Sequence, residues 1–329
     1  MDSDRSYSAI RDASVETLLA RELPALARSV AALRLPGVAG LALGGGYGRG
    51  EGGVKDGRPY NDLDFFVFSD LPESRNGEIA EALEPVSREY TARLGVDVDF
   101  TVRVAARLRL DERRLMVQEL LRGHEVLFPA DFDLARWAGL SEHAASEVPA
   151  MEAARLLMNR GMGLAFASEK YLSPQFDLAR DGGFVARNLN KAVLGAGDAR
   201  LVARGEYAWS VRERAAKLSD AGYDEAVSWK FTPVDRERAE FPRRWRAARA
   251  AWLAAAEELM TRCGDELHRR SAYQALRWLK RRHAIGKILE TGLDCTVRVL
   301  REVSELLSGC PDGVSEVPTG LLRDWKTFN

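Results

Sequence analysis

Residues 41–53, LALGGGYGRGEGG, are followed by residues 61–68, NDLDFFVF, and by residues 96–102, VDVDFTV. The run Val38–Leu43 is apolar and ends in glycines, which predicts a buried strand feeding a tight loop. Leu63 to Phe68 predicts a second buried strand. From Val96 to Val104 the chain alternates, with Val96, Val98, Phe100 and Val102 on one face and Asp97, Asp99, Thr101 and Arg103 on the other. Residues i and i+2 of a strand share a face, so Asp62 and Asp64 project together while Leu63 turns into the core. A neighbouring strand can bring Asp99 beside them. Three converging carboxylates repel one another unless a cation neutralises them, and hard oxygen ligands suit Mg²⁺ or Mn²⁺. Two such ions form a clamp for in-line phosphoryl displacement. Gly45 and Gly46, just upstream, supply backbone N–H groups and close approach of the kind a polyphosphate needs. A lone Asp-x-Asp is usually a solvated strand end, and a lone glycine cluster is usually a turn. Their occurrence in this order, each at a strand end, points to phosphoryl chemistry.

Working outward, Val15 to Leu35 reads as an amphipathic helix interrupted or kinked at Pro24. Gly57 and Pro59 keep the stretch VKDGRPYN from being regular helix. A helix is expected from Glu73 to Leu94 with a weak point at Pro85, another from Asp111 to Leu121, and a short strand at Glu125–Phe128. After a polar, alanine-rich connection the pattern becomes helical, with helices expected near 150–171, 184–204, 209–220, 235–262, 266–288 and 290–308. The fold class is therefore α+β: a mixed sheet with helices over residues 1–135, then an all-α domain over 136–329.

The 329 residues carry 48 basic and 49 acidic side chains, a net charge of −1, which argues against a dedicated nucleic-acid or membrane-surface binder. No apolar run is long enough to span a bilayer and the N-terminus lacks an apolar signal core, so the expected location is the cytoplasm. Cys263, Cys295 and Cys310 are odd in number and widely spaced, which suits neither a disulfide framework nor a zinc site. His124, His143, His268 and His283 are scattered, and no H-E-x-x-H, P-loop or G-x-S-x-G motif occurs. Residues 48–53 match G-x-G-x-x-G, but Gly57 and Pro59 prevent the helix that a dinucleotide site requires. Arg243–Arg244–Trp245–Arg246 and Lys280–Arg281–Arg282–His283 are basic runs with nearby aromatics, read first as solvated helix faces.

GGYGRGE, then NDLDFFVF, then VDVDFTV resembles the nucleotidyltransferase superfamily of DNA polymerase β, above all the N-terminal domain of PII uridylyltransferases, and also the minimal and aminoglycoside nucleotidyltransferases. The resemblance covers about residues 38–128, and Arg49, Gly50 and Glu51 match the end of the Gly-Ser-x-x-Arg-Gly-Asp variant. It implies a polymerase-β-like mixed sheet, an α-helical substrate domain, and transfer of a nucleoside monophosphate from an NTP to a hydroxyl of a small molecule or protein. Asp62 and Asp64 would hold the Mg²⁺ that grips the triphosphate, and Asp99 would bind a second metal and act as general base. Gly45, Gly46 and Arg49 would contact the nucleotide, as would Lys191, a scarce lysine on an expected helix: the chain has 8 lysines. Two departures stand out. Gly46 occupies the position of the familiar serine, and about five extra residues precede Asp62. Asp97 also fits the pattern of the third acid, but the continuation Phe100–Thr101–Val102 favours Asp99. A catalytically silent nucleotide-binding regulator and an enzyme adding nucleotides to RNA ends are the alternatives. Retention of all three acids speaks against the first, and near-neutral charge against the second.

Overall fold

The computed structural model describes residues 6–282 and 295–328. The chain divides into two compact units. The first runs to His143 and also takes in Ser228–Val234; the second comprises Ala144–Val227 and the chain from Asp235 onward. The expected boundary at 135/136 thus falls eight residues early, and the return of Ser228–Val234 to the first unit was not foreseen.

In the first unit, helix α1 (Ala13–Ala32) precedes strand β1 (Val38–Leu43) and a one-turn helix α2 (Gly45–Gly48). A hairpin of β2 (Val54–Lys55) and β3 (Arg58–Pro59) follows, then β4 (Leu63–Ser69), α3 (Asn76–Leu94) and β5 (Val98–Val104). Helices α4 (Ala105–Leu110) and α5 (Leu115–Arg122), strand β6 (Glu125–Phe128) and helix α6 (Leu134–Ala138) complete it. The main sheet has the order β5-β4-β1-β6, with β4 and β5 parallel and both pairs made by β1 antiparallel.

Strand β4 is covered on both faces, which is why LDFFVF reads as continuous apolar sequence rather than alternation. On one face Leu63, Phe65 and Val67 join Val98 and Val102 of β5 against Leu19 and Leu26 of α1 and Leu83 of α3. On the other, Phe66 and Phe68 pack with Leu108, Val117, Leu120 and Leu134 from α4, α5 and α6. Burial also explains why Pro24 and Pro85 do not break their helices. Leu23 and Leu26 flank Pro24, Leu83 and Val86 flank Pro85, and all four are buried, so packing outweighs each lost backbone hydrogen bond.

The second unit is helical. Helix α7 (Ala150–Leu172) packs on α8 (Leu178–Arg204), and α11 (Phe241–Arg282) packs on both. Helices α9 (Val211–Leu218) and α10 (Ala221–Phe231) lie between α8 and α11 in sequence, and the helix Cys295–Gly309 packs on α7. Trp245 and Trp252 of α11 are fully buried and donate indole N–H bonds to the Leu164 and Leu157 carbonyls. The expected helices at 235–262 and 266–288 are one helix as far as Arg282; residues 283–294, with His283, lie outside the described residues. At the heart of this unit Arg214, almost fully buried, pairs with Asp198 at 2.8 Å and donates to Tyr207 and the carbonyls of Ala208 and Trp209. Tyr223 donates to the same Asp198 at 2.6 Å.

Candidate active site

Strand β1 ends at the glycines. The N–H of Gly44 donates to the Asp64 carbonyl at 2.8 Å, which ties the loop to the first turn of β4. Gly45 then takes φ +61°, in the left-handed region, and a Cβ built on it would stand 2.0 Å from Oδ2 of Asp64. Only glycine lets the backbone lie directly against that carboxylate.

Asp64 is half-buried near the start of β4, and its register partner on β5 is Asp99. Partners in a parallel ladder share a face, so both carboxylates leave the sheet on the side of Phe66 and Phe68. The N–H of Leu63 donates to the Asp97 carbonyl at 2.8 Å, which carries the pairing back toward Asp62 and Asp97. Burial, then the neighbouring charges of Asp62 and Asp97, hold the Asp99 carboxyl above its ordinary range. The four acids named from the sequence thus gather at the N-terminal ends of two adjacent strands. Among the described residues, however, no three His, Cys, Asp or Glu side chains stand together as a ready-made metal cage. The donor set is oxygen-only and anionic. It fits Mg²⁺, which is commonly held by one or two carboxylates with waters and phosphate oxygens completing its shell.

The insert between the glycines and Asp62 is a defined hairpin. Asp56 at φ +52° and Gly57 at φ +69° form its two-residue turn, the Asp-Gly signature of tight hairpins. Tyr47, fully buried, anchors it: its hydroxyl donates to the Gly53 carbonyl at 2.6 Å and accepts from the Tyr60 N–H at 2.9 Å. Burial pushes the Tyr47 phenol up to about 12. Asn61 accepts from the Gly53 N–H at 2.9 Å, fixing the residue that leads into Asp62.

Arg49 was expected at the nucleotide. It pairs with Glu119 at 3.1 Å and lies 3.8 Å from Glu51, so two carboxylates of its own unit hold it. A cation the sequence reading missed is Lys230, whose Nζ bonds Glu51 at 3.0 Å. Next to it, Trp229 meets the edge of Tyr60 with ring centroids 5.6 Å apart. Their only signal in the sequence was an aromatic-lysine pair 179 residues from Glu51. Lys191 lies on α8 in the second unit, beside the buried Asn190.

The other motifs take structural roles. Arg244 pairs with Glu225 and Glu240, and Trp245 is buried, so this basic run offers no stacking platform. His124 and His268 bond the carbonyls of Leu120 and Gly264, and His143 stands 3.6 Å from Glu112. No helix of the described residues is long and apolar enough to cross a membrane. No protein-family model matches the chain, and no curated protein or solved structure matches it.

Proposed function

We propose that the chain is a nucleotidyltransferase of polymerase-β-like fold. The observation that supports this best is the junction of three parts: a left-handed glycine pressed on the Asp64 carboxylate, Asp64 in register with Asp99, and Asp62 and Asp97 immediately before them. Oxygen-only carboxylates below a glycine turn suit a nucleoside triphosphate and a divalent cation, and suit neither hydride nor acyl chemistry. Asp62 and Asp64 would hold the Mg²⁺, with Asp99 and Asp97 on the acceptor side. When bound, the metal neutralises charge on the phosphates.

The residues of the chain do the rest. The Gly45–Gly46 turn brings backbone against the phosphates, and Tyr47 fixes the hairpin that leads into Asp62. The acceptor's hydroxyl oxygen bonds to the α-phosphorus, the bond from that phosphorus to the β-phosphate oxygen breaks, and pyrophosphate leaves. Asp99 takes the hydroxyl proton. Near-neutral charge and the burial of Trp245 favour a small-molecule or protein acceptor over RNA.

The test incubates the protein with each α-³²P-labelled NTP, Mg²⁺ and a cell extract, and follows label into acceptor. Calorimetry with ATP and UTP, with and without EDTA, runs beside it. Metal-dependent binding and label transfer are expected; equal affinity with and without EDTA removes the proposal.

A further inference from the structure

Four residues beyond Asp99 on the same face of β5 stands Arg103, about 13 Å away at the rise of an extended strand. Its Nε is buried without a hydrogen bond, and among the described residues its guanidinium forms no ion pair. Two more arginines, Arg107 on α4 directly after the strand and Arg114 just before α5, share one carboxylate, and their charges reach Arg103. Arg107 bonds Asp111 at 2.7 Å, and Arg114 lies 3.8 Å from the same carboxylate. Burial and the charges of Arg114 and Arg107 all work against the protonated form of Arg103, opposed by Asp111 and Glu73. A half-buried cation facing like charges costs stability, and an incoming anion would offset that cost. Clustered guanidinium forks match the oxygens of a phosphate group in spacing and charge.

We propose that Arg103, Arg107 and Arg114 form a phosphate-binding subsite for the acceptor, which is then a phosphorylated small molecule whose phosphate lies about 13 Å from the hydroxyl that attacks. The assignment to the acceptor rests on the nucleotidyl-transfer reading; the anion site does not. Asp99 stands on the acceptor side of the site, and the strip Asp99–Thr101–Arg103 runs along one face of the edge strand β5. A molecule lying on that strip would place its hydroxyl at the acid and its phosphate at the arginines.

The experiment titrates inorganic phosphate at constant ionic strength into the full-length protein in EDTA, read by calorimetry and by thermal shift, and repeats it with Mg²⁺ and saturating NTP. Arg103→Met keeps the aliphatic stem and removes the charge; Arg114→Gln is the second variant. The expected result is saturable phosphate binding that survives saturating NTP and weakens 10- to 100-fold in either variant, while NTP affinity is unchanged. The unfolding midpoint of Arg103→Met in phosphate-free buffer should equal or exceed that of the unsubstituted protein. Absence of saturable binding, binding undiminished in both variants, or displacement of phosphate by NTP would each overturn the proposal. If phosphate binds through the arginines while NTP does not bind at all, the nucleotidyl-transfer reading and the acceptor assignment fall together, and the anion site alone stands.

Discussion

Substituting Gly45 by alanine tests whether the glycine turn is shaped around a carboxylate. Any L-residue at φ +61° carries the left-handed penalty, about 1–2 kcal/mol. At Gly45 the added methyl also meets Asp64, with Oδ2 at 2.0 Å and Cγ at 2.9 Å. One of them must move, and forced repacking of this kind adds about 1–3 kcal/mol. Gly57 is the internal control. Its φ of +69° is nearly the same, but a Cβ there meets nothing closer than Ser14 at 3.9 Å. Gly57→Ala should therefore cost about 1–2 kcal/mol, and Gly45→Ala about 2–5 kcal/mol. Denaturant midpoints compare the two, and hydrogen exchange on residues 61–69 locates the effect. In an Asp64→Ala background most of the excess should vanish, since only the Asp64 Cβ, at 3.1 Å, remains to be met, leaving a coupling energy of about 1–3 kcal/mol between the positions. Equal costs for Gly45→Ala and Gly57→Ala, or additivity with Asp64→Ala, would refute the reasoning.

Three further outcomes are expected. Asp99→Asn should abolish label transfer while leaving most NTP affinity, whereas Asp97→Asn should be milder, because Asp97 holds Leu63 through its backbone carbonyl; loss of transfer from Asp97→Asn alone would reverse the assignment. Tyr47→Phe removes the hydroxyl from both bonds, but the Tyr60 N–H keeps its 3.1 Å bond to the Gly53 carbonyl, so the change should cost about 0.5–1.5 kcal/mol, with faster amide exchange across 53–61. Because the folded state holds the Tyr47 proton up to about 12 against an ordinary 10.0, its contribution is complete below pH 10 and is lost as pH rises toward 12. Pulse-alkaline unfolding should show a smaller, not absent, loss in the Phe variant, since Tyr171 titrates in the same window. Finally, Asp198→Ala leaves the buried Arg214 uncompensated and should destabilise the helical unit by about 3–5 kcal/mol in a denaturant melt, with no change in NTP affinity; a change in that affinity would tie Asp198 to the site.

The acids and glycines were legible because strand chemistry is local: LDFFVF had to be a covered strand, and a two-residue period set which side chains shared its face. The hairpin went unread: Gly57 and Pro59 excluded a helix, but strands of two residues carry no periodicity, and the Asp56–Gly57 pair that forms the turn was not taken as its signal. Helix α10 was missed although Asp224, Glu225 and Ser228 line an exposed face: Gly222 weakens the helical signal, and Lys230 falls among the buried Tyr223, Ala226, Val227, Trp229 and Phe231, which blurs the period. Lys230 and the partners of Arg49 are contacts of tertiary structure, and no window along the chain holds both halves of either.

The return of Ser228–Val234 to the first unit makes that unit discontinuous in time as well as in sequence. On the ribosome, residues up to His143 emerge without the tryptophan that closes on Tyr60 or the lysine that pairs with Glu51. Roughly ninety more residues must be made first, which takes about 5–20 s at ordinary elongation rates. Glu51 and Tyr60 wait in the glycine and hairpin segments through that interval, so the surroundings of the candidate active site are completed by the last segment of the first unit to be made. A gene cut after codon 143 would encode every acid of the site and still yield it unfinished.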